Sequence, residues 1–255
     1  MAWRTPSVTG FTHDALQALM RHELGAVRLP AFATPDECAA LAEAAERHGF
    51  ENYKDTVPPI GRIGVARFDY LPHEKARYRA DAAAARTVLS RIIESSFDPF
   101  QRFAAALQAS TPSPVRLARE EATGDYFLGV FRNMQGGAPP HIDYAPWEAR
   151  GWAIADVTAQ LTWNLYLTIP DEGGGTRIYD RAWQPEDERH KLPGSYAYAS
   201  EVVDRAPACD LQPRLGEVIV FNTRNYHEVF ASTSMRMTCG SFFGPASDGD
   251  LWLWG

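Results

Sequence analysis

Apolar residues in the first hundred positions recur mostly at helical spacing, and beyond residue 114 they fall into short alternating runs broken by Gly, Pro and Asp. The first pattern predicts a helix over 11–21 with Thr12 as N-cap, and a short strand at 25–32. A second helix opens at Thr34 with Pro35 in its first turn and runs through Cys38, Leu41 and Ala45 to a stop near Gly49. A strand is expected over 61–71, then one or two helices over 75–107 broken around Phe97-Asp98-Pro99. The second pattern predicts strands at 115–120, 126–133, 158–169, 176–181, 196–203, 217–222 and 236–243. Closely spaced short strands form a sandwich or barrel. The expected class is α+β with a mainly β core. One domain is expected over 1–255, with helical support over 1–113, a β core over 114–244 and a tail over 245–255.

The run 158–169 alternates most sharply. Gln160, Thr162, Asn164 and Tyr166 share one face, while Leu161, Trp163, Leu165 and Leu167 share the other. The polar face is expected to line a cavity and the apolar face to pack under helices. The charged connection 182–195 reads as a surface loop, either a solvated excursion or a movable lid over that cavity.

Composition narrows the setting. With 45% hydrophobic residues in 255, the chain can bury a sizeable core. The net charge is -7 and no Lys/Arg-rich run occurs, so nucleic acid is a poor partner, because that affinity rests on cations meeting phosphates. No apolar run is long enough for a membrane helix. The three cysteines, Cys38, Cys209 and Cys239, are odd in number and scattered, as expected of reduced thiols in a cytoplasmic protein.

His141 and Asp143 stand two residues apart, so on an extended segment both point to one side and can reach one metal. That pair alone is a weak signal. His227, placed after the run 217–222, supplies a third ligand, and two imidazoles with a carboxylate form the facial triad that holds non-haem Fe(II) with open positions. The other histidines, at 13, 22, 48, 73 and 190, lie in helices, at a helix end, beside a proline or in the charged loop, and read as structural or solvated. Arg236 and Thr238 alternate along one strand, with Gly240 and Phe242 continuing the face, and together offer a fork and a hydroxyl to a carboxylate. The bland alternative is that Arg236 pairs with a protein carboxylate.

H-x-D, a distant His and R-x-T over 126–244 resemble the Fe(II)/2-oxoglutarate-dependent oxygenase superfamily, whose core is a double-stranded β-helix, a jelly roll of the cupin type. The resemblance implies His141, Asp143 and His227 as iron ligands, Arg236 with Thr238 as anchor for the distal carboxylate of 2-oxoglutarate, and O2 as oxidant. QLTWNLYL from Gln160, GGGTRIYDRAWQPEDE from Gly173 and FNTRNYHEV from Phe221 are similar to the freestanding small-molecule hydroxylase and halogenase branch. Halogenases of that branch carry Gly or Ala where the carboxylate ligand stands, leaving a site for halide. This sequence keeps Asp143, which implies hydroxylation of an unactivated C–H bond, with succinate and CO2 released. Desaturation, cyclisation or epimerisation would use the same cofactors.

Arg132, Tyr144, Trp147 and Asn164 are the candidate substrate contacts, each with a structural alternative: core for Trp147, an ion pair for Arg132. The resemblance implies a natural-product scaffold or a free amino acid as substrate, and the aromatic content favours the scaffold. Competing classes are a cupin-like metalloenzyme without 2-oxoglutarate and a non-catalytic binding barrel. A monomer and a homodimer fit the sequence equally.

Overall fold

The computed structural model describes residues 3, 7–54, 56–121 and 124–255. Four helices come first: α1 His13–Met20, α2 Pro35–His48, α3 Lys75–Ile93 and α4 Pro99–Ala109. Their ends follow from capping residues. The Ala15 N–H donates to Thr12 Oγ1, and at α2 the Thr34 hydroxyl accepts from Glu37 N while Glu37 Oε2 accepts from Thr34 N. The expected break between α3 and α4 is set by Asp98, whose carboxylate accepts from Phe100 N and Gln101 N.

The core strands are β1 Val130–Asn133, β2 Ala138–His141, β3 Leu161–Tyr166, β4 Thr176–Ala182, β5 Ala208–Leu211, β6 Val218–Asn222, β7 Asn225–Val229 and β8 Met237–Pro245. A large sheet carries them in the order β6-β3-β8-β1, extended by Ala26–Leu29 beside β6 and Gly61–Ile63 beside β1, and a four-stranded sheet has the order β5-β4-β7-β2. The chain switches between the sheets in the manner of a double-stranded β-helix. The strand β3 sits centrally, antiparallel to β6 and β8. Its apolar face packs on α4: the Trp163 ring stacks on Phe103 with centroids 4.3 Å apart and planes 10° from parallel. Trp163 Nε1 donates to Ser241 Oγ at 2.7 Å, so the buried indole leaves no donor unpaired. Its polar face, with Gln160, Thr162, Asn164 and Tyr166, lines a cavity, as the alternation predicts.

Several expected strands are shorter or absent. Over 61–71 only Gly61–Ile63 is a strand, and Arg67–Asp69 forms a 3-10 turn. Of the run 126–133 only β1 is a strand, with Gly129 before it at φ +100°, and 115–120 is split at Ala118 into Val115–Leu117 and Arg119–Glu120. Residues 196–203 form no strand. Tyr198 N donates to Pro140 O at 2.9 Å, and Ser200–Val203 turns as a 3-10 helix that packs Val202 and Val203 against Tyr179, Trp183 and Tyr226. Apolar β-branched residues there plug a small core instead of joining a ladder.

Conversely, β2 contains Pro139 and Pro140 and does not read as a strand, yet it lies at a sheet edge, where missing N–H donors are tolerated. The expected tail at 245–255 contains the strand Leu251–Trp254, antiparallel to β8 and parallel to Val115–Leu117. The connection 182–195 is tied down: Asp187 is 5% exposed and pairs with Arg181 at 2.6 Å, while Glu188 accepts from Trp183 Nε1 and the Tyr198 hydroxyl. No helix among the described residues is long and apolar enough to cross a membrane.

Candidate functional site

A cavity of about 390 Å³ lies between the two sheets, walled by β3 and β1 on one side and by β2, β4 and β7 on the other. Its chemical centre comes from strand pairing. In the β2–β7 ladder His141 and His227 are direct partners, so both imidazoles enter from one sheet, with ring centroids 4.1 Å apart. His141 Nδ1 faces Pro139 O at 2.8 Å and His227 Nδ1 faces Asn225 O at 3.0 Å. Each Nδ1 must therefore carry the proton it donates to a carbonyl, which leaves both Nε2 lone pairs free for a metal. Asp143 follows directly, its backbone N–H donating to Thr223 O at 3.0 Å, and its Oδ2 stands 3.6 Å from His227 Nε2.

One ligand atom from each of the three residues lies within 4.8 Å of the others, a spacing that fits one small cation. The electrostatics agree with that donor set. Burial, then the neighbouring His227, pushes His141 down to about 4, so its imidazole is neutral at pH 7. Burial alone would raise Asp143, but the His227 and His141 imidazoles and Arg132 outweigh it and hold the carboxyl below its ordinary value.

Arg236, the residue before β8, is 2% exposed and meets no carboxylate among the described residues. Its Nε donates to Gly174 O at 2.8 Å and its Nη2 to the hydroxyls of Tyr166 and Thr176 at 3.2 and 3.0 Å. Gly174 takes φ +68°, and a Cβ there would strike Pro170 Cγ at 2.6 Å and press to 3.3 Å from Arg236 Cδ, so the residue whose carbonyl holds Arg236 has to be a glycine. A buried guanidinium held only by neutral partners is a site for an anion. Thr238 is also buried, but it is not part of the cavity wall. It lies across the ladder from the larger Tyr166, whose hydroxyl reaches Arg236.

Of the substrate candidates, Arg132, Tyr144 and Asn164 line the cavity. Arg132 Nε donates to the Tyr53 hydroxyl at 3.1 Å. Trp147 does not line it: its ring packs 4.8 Å from Trp183 and under the Arg150 guanidinium, a structural role. Several cavity residues escaped the sequence reading. Tyr196 stands edge-on to His141 with centroids 5.1 Å apart, and its hydroxyl is buried without a partner. Arg67 and Glu148 also line the wall, and Trp254 arrives from the strand that read as a tail. Thr176, in the GGGT run, is the one with a usable signal, since it alternates with Ile178 on a strand that opens at the glycines.

The family described as carrier-protein-independent halogenase WelO5 matches residues 7–255. Leucinostatins biosynthesis cluster protein S of Purpureocillium lilacinum is 35% identical over 197 residues, 73% of this chain and 80% of its own. The L-gamma-glutamyl-L-propargylglycine hydroxylase of Streptantibioticus cattleyicolor is 29% identical over 256 residues, 96% and 93% of the two chains. Among solved structures, an N-substituted L-amino acid dioxygenase from Burkholderia ambifaria superposes with a TM-score of 0.64 at 17% identity, covering 95% of this chain and 91% of that one, a likeness of fold. A family match over nearly the whole length, on a double-stranded β-helix that carries a His-Asp-His triad, shows that this chain belongs to the WelO5 family of freestanding Fe(II)/2-oxoglutarate oxygenases that act on small molecules.

Proposed function

We propose that the chain hydroxylates an unactivated C–H bond of a small molecule, with His141, Asp143 and His227 holding Fe(II) and Arg236 anchoring the distal carboxylate of 2-oxoglutarate. The observation that carries this reading is Asp143 beside the two free Nε2 atoms, in a cavity whose wall also holds a buried arginine that meets only neutral partners among the described residues. His141, Asp143 and His227 would hold the ion with three protein ligands and leave its open positions to 2-oxoglutarate and O2. Halide then has no position, and this supports hydroxylation within a family described by its halogenase. The S. cattleyicolor relative, itself named a hydroxylase, supports the same outcome.

When bound with O2, iron and 2-oxoglutarate supply an oxidant able to break an unactivated C–H bond, with succinate and CO2 as co-products. The protein's part is placement. Pro139 O and Asn225 O fix the imidazole tautomers, Thr223 O pins the Asp143 backbone, and Tyr166 and Thr176 aim the Arg236 fork. Asn164, whose side chain has no protein hydrogen bond among the described residues, faces the same space from β3 and is assigned to the substrate, together with Arg132 and Tyr144. The three buried, unpaired cysteines support a reducing compartment, the cytoplasm, as the setting of this reaction.

The test is direct. Protein with Fe(II) and 2-oxoglutarate, free of oxygen, is expected to show a weak visible charge-transfer band, and a full complement of iron without that band would sink the assignment. With O2 and candidate small molecules, substrate-dependent succinate should accompany a product heavier by one oxygen. A product lighter by two hydrogens would mean desaturation or cyclisation instead.

A further inference from the structure

Two opposite charges face the cavity without meeting each other. Arg67, on the 3-10 turn Arg67–Asp69, lines the wall and forms no ion pair and no side-chain hydrogen bond among the described residues. Its guanidinium lies over the Trp152 ring at 5.8 Å, and the neighbouring acid Asp69 is taken by Arg62. Glu148 also lines the wall, at the end of the short helix after Tyr144. Its Oε2 accepts the Tyr144 N–H at 2.8 Å, while its Oε1 has only Lys191 Nζ, 4.0 Å away.

Both side chains are half-buried, Glu148 being 28% exposed, so each keeps some water, and a ligand that fills the cavity and displaces that water must replace it with a counter-charge. Each charge acts on the other, yet the two are held apart. A ligand carrying both an anion and a cation on neighbouring atoms would satisfy both at once. The size of the cavity points the same way. About 390 Å³ is near the lower end for small-molecule sites, and 2-oxoglutarate must share it, so the enclosed part of the substrate is small. A large apolar polycycle would fill this space while leaving both charges dry and unpaired.

We propose that the substrate is held by an α-amino-acid head group, its carboxylate on Arg67 and its ammonium on Glu148. This rests on the oxygenase reading above and deepens it by naming the substrate class. It reverses the preference for a natural-product scaffold drawn from aromatic content. Both residues are specificity determinants: they grip the head group and thereby decide which carbon lies beside the metal site.

The experiment uses the Fe(II)- and 2-oxoglutarate-loaded enzyme and a panel of L-amino acids and γ-glutamyl dipeptides, each also as its N-acetyl derivative and its methyl ester. Shifts of the charge-transfer band without oxygen give binding, and succinate formation with oxygen gives turnover. At least one unblocked compound is expected to bind and to stimulate succinate formation, and blocking either charge should weaken binding at least tenfold. In Arg67→Gln the penalty for the ester should vanish, in Glu148→Gln the penalty for acetylation, each variant still forming the band. The proposal is overturned if no unblocked compound shifts the band, if blocking the charges changes nothing, or if both penalties persist in the variants. A wild type that forms no band at all would bring down the oxygenase reading, and this one with it.

Discussion

His227 lies directly across the β2–β7 ladder from His141, and each imidazole gives its Nδ1 proton to a backbone carbonyl. The two imidazoles are therefore placed by backbone register and by carbonyls that no side-chain substitution removes. On the proposed reading metal binding should couple to the stability of this ladder, because an ion held by both would bridge strands that are far apart in the chain. At a hundredfold excess over its dissociation constant a metal adds about 2.7 kcal/mol. For a chain of this size that is a rise in Tm of roughly 5–10 °C. Thermal unfolding with and without Fe(II) or Co(II), free of oxygen, should show that rise in the wild type and none in His227→Ala.

Among the described residues Arg236 donates only to neutral oxygens, from Gly174, Tyr166 and Thr176, so its charge has no counter-charge there. Arg236→Ala should weaken 2-oxoglutarate binding by roughly 10²-fold or more, as loss of a buried charged hydrogen bond implies. Iron affinity should change little. Titration of the charge-transfer band with 2-oxoglutarate, beside a separate metal titration, reads the two apart. Equal loss of both would make Arg236 structural.

Much of this was legible from residue spacing, and the exceptions have physical reasons. Alternation in 158–169 placed four cavity residues correctly because a period of two fixes both faces of a strand that is central in its sheet. Capping chemistry placed α2 and the break before α4. The strand bearing His141 was hidden by its prolines, which only an edge position allows. Val202 and Val203 read as strand because β propensity reports burial as much as pairing. The Arg67–Glu148 pair had no local signal, since its meaning lies in a distance that the chain crosses only after folding.

Trp163 couples the helical layer to the β-helix, stacked on Phe103 and bonded to Ser241. Trp163→Ala removes a fully buried ring from the central strand and leaves Ser241 Oγ without that donor. The expected loss is about 3–5 kcal/mol, typical of a large aromatic cut from a core. Denaturant unfolding of the metal-free protein measures it. A loss below about 1 kcal/mol would show that α4 is not held through this contact.

Glu148 is pushed up to about 7, first by burial and then by the charge of Asp143, while the Tyr144 N–H, Lys191 and Arg67 pull it down. A carboxyl whose folded value lies above its ordinary 4.5 favours the folded state when protonated. That contribution is complete below about pH 4.5 and is lost as pH rises through about 7. The metal-free wild type should therefore lose stability between pH 5 and 8 relative to Glu148→Gln, in which this position no longer titrates. Iron on Asp143 offsets the charge that causes much of the shift and should flatten the difference. A parallel course of Tm against pH for the two metal-free proteins would remove Glu148 as the cause.

Asp143 separates the two chemistries available on this fold. Its backbone N–H is bonded to Thr223 O, so Asp143→Gly keeps the local chain path and removes only the carboxylate that stands 3.6 Å from His227 Nε2. On the proposed reading the variant would lose an anionic ligand and leave room for another anion beside the two imidazoles. Hydroxylation should fall by at least the roughly 10–100-fold that loss of a mere outer-shell partner costs. Chloride, an anion of suitable size for that position, should shift the charge-transfer band of the variant and leave the wild-type band unmoved. Spectra recorded with and without chloride, and product masses taken from the same samples, check both halves. Wild-type rates of hydroxylation in Asp143→Gly would remove Asp143 from the ligand set, and a chloride-dependent band in the wild type would mean that the carboxylate does not close the halide position.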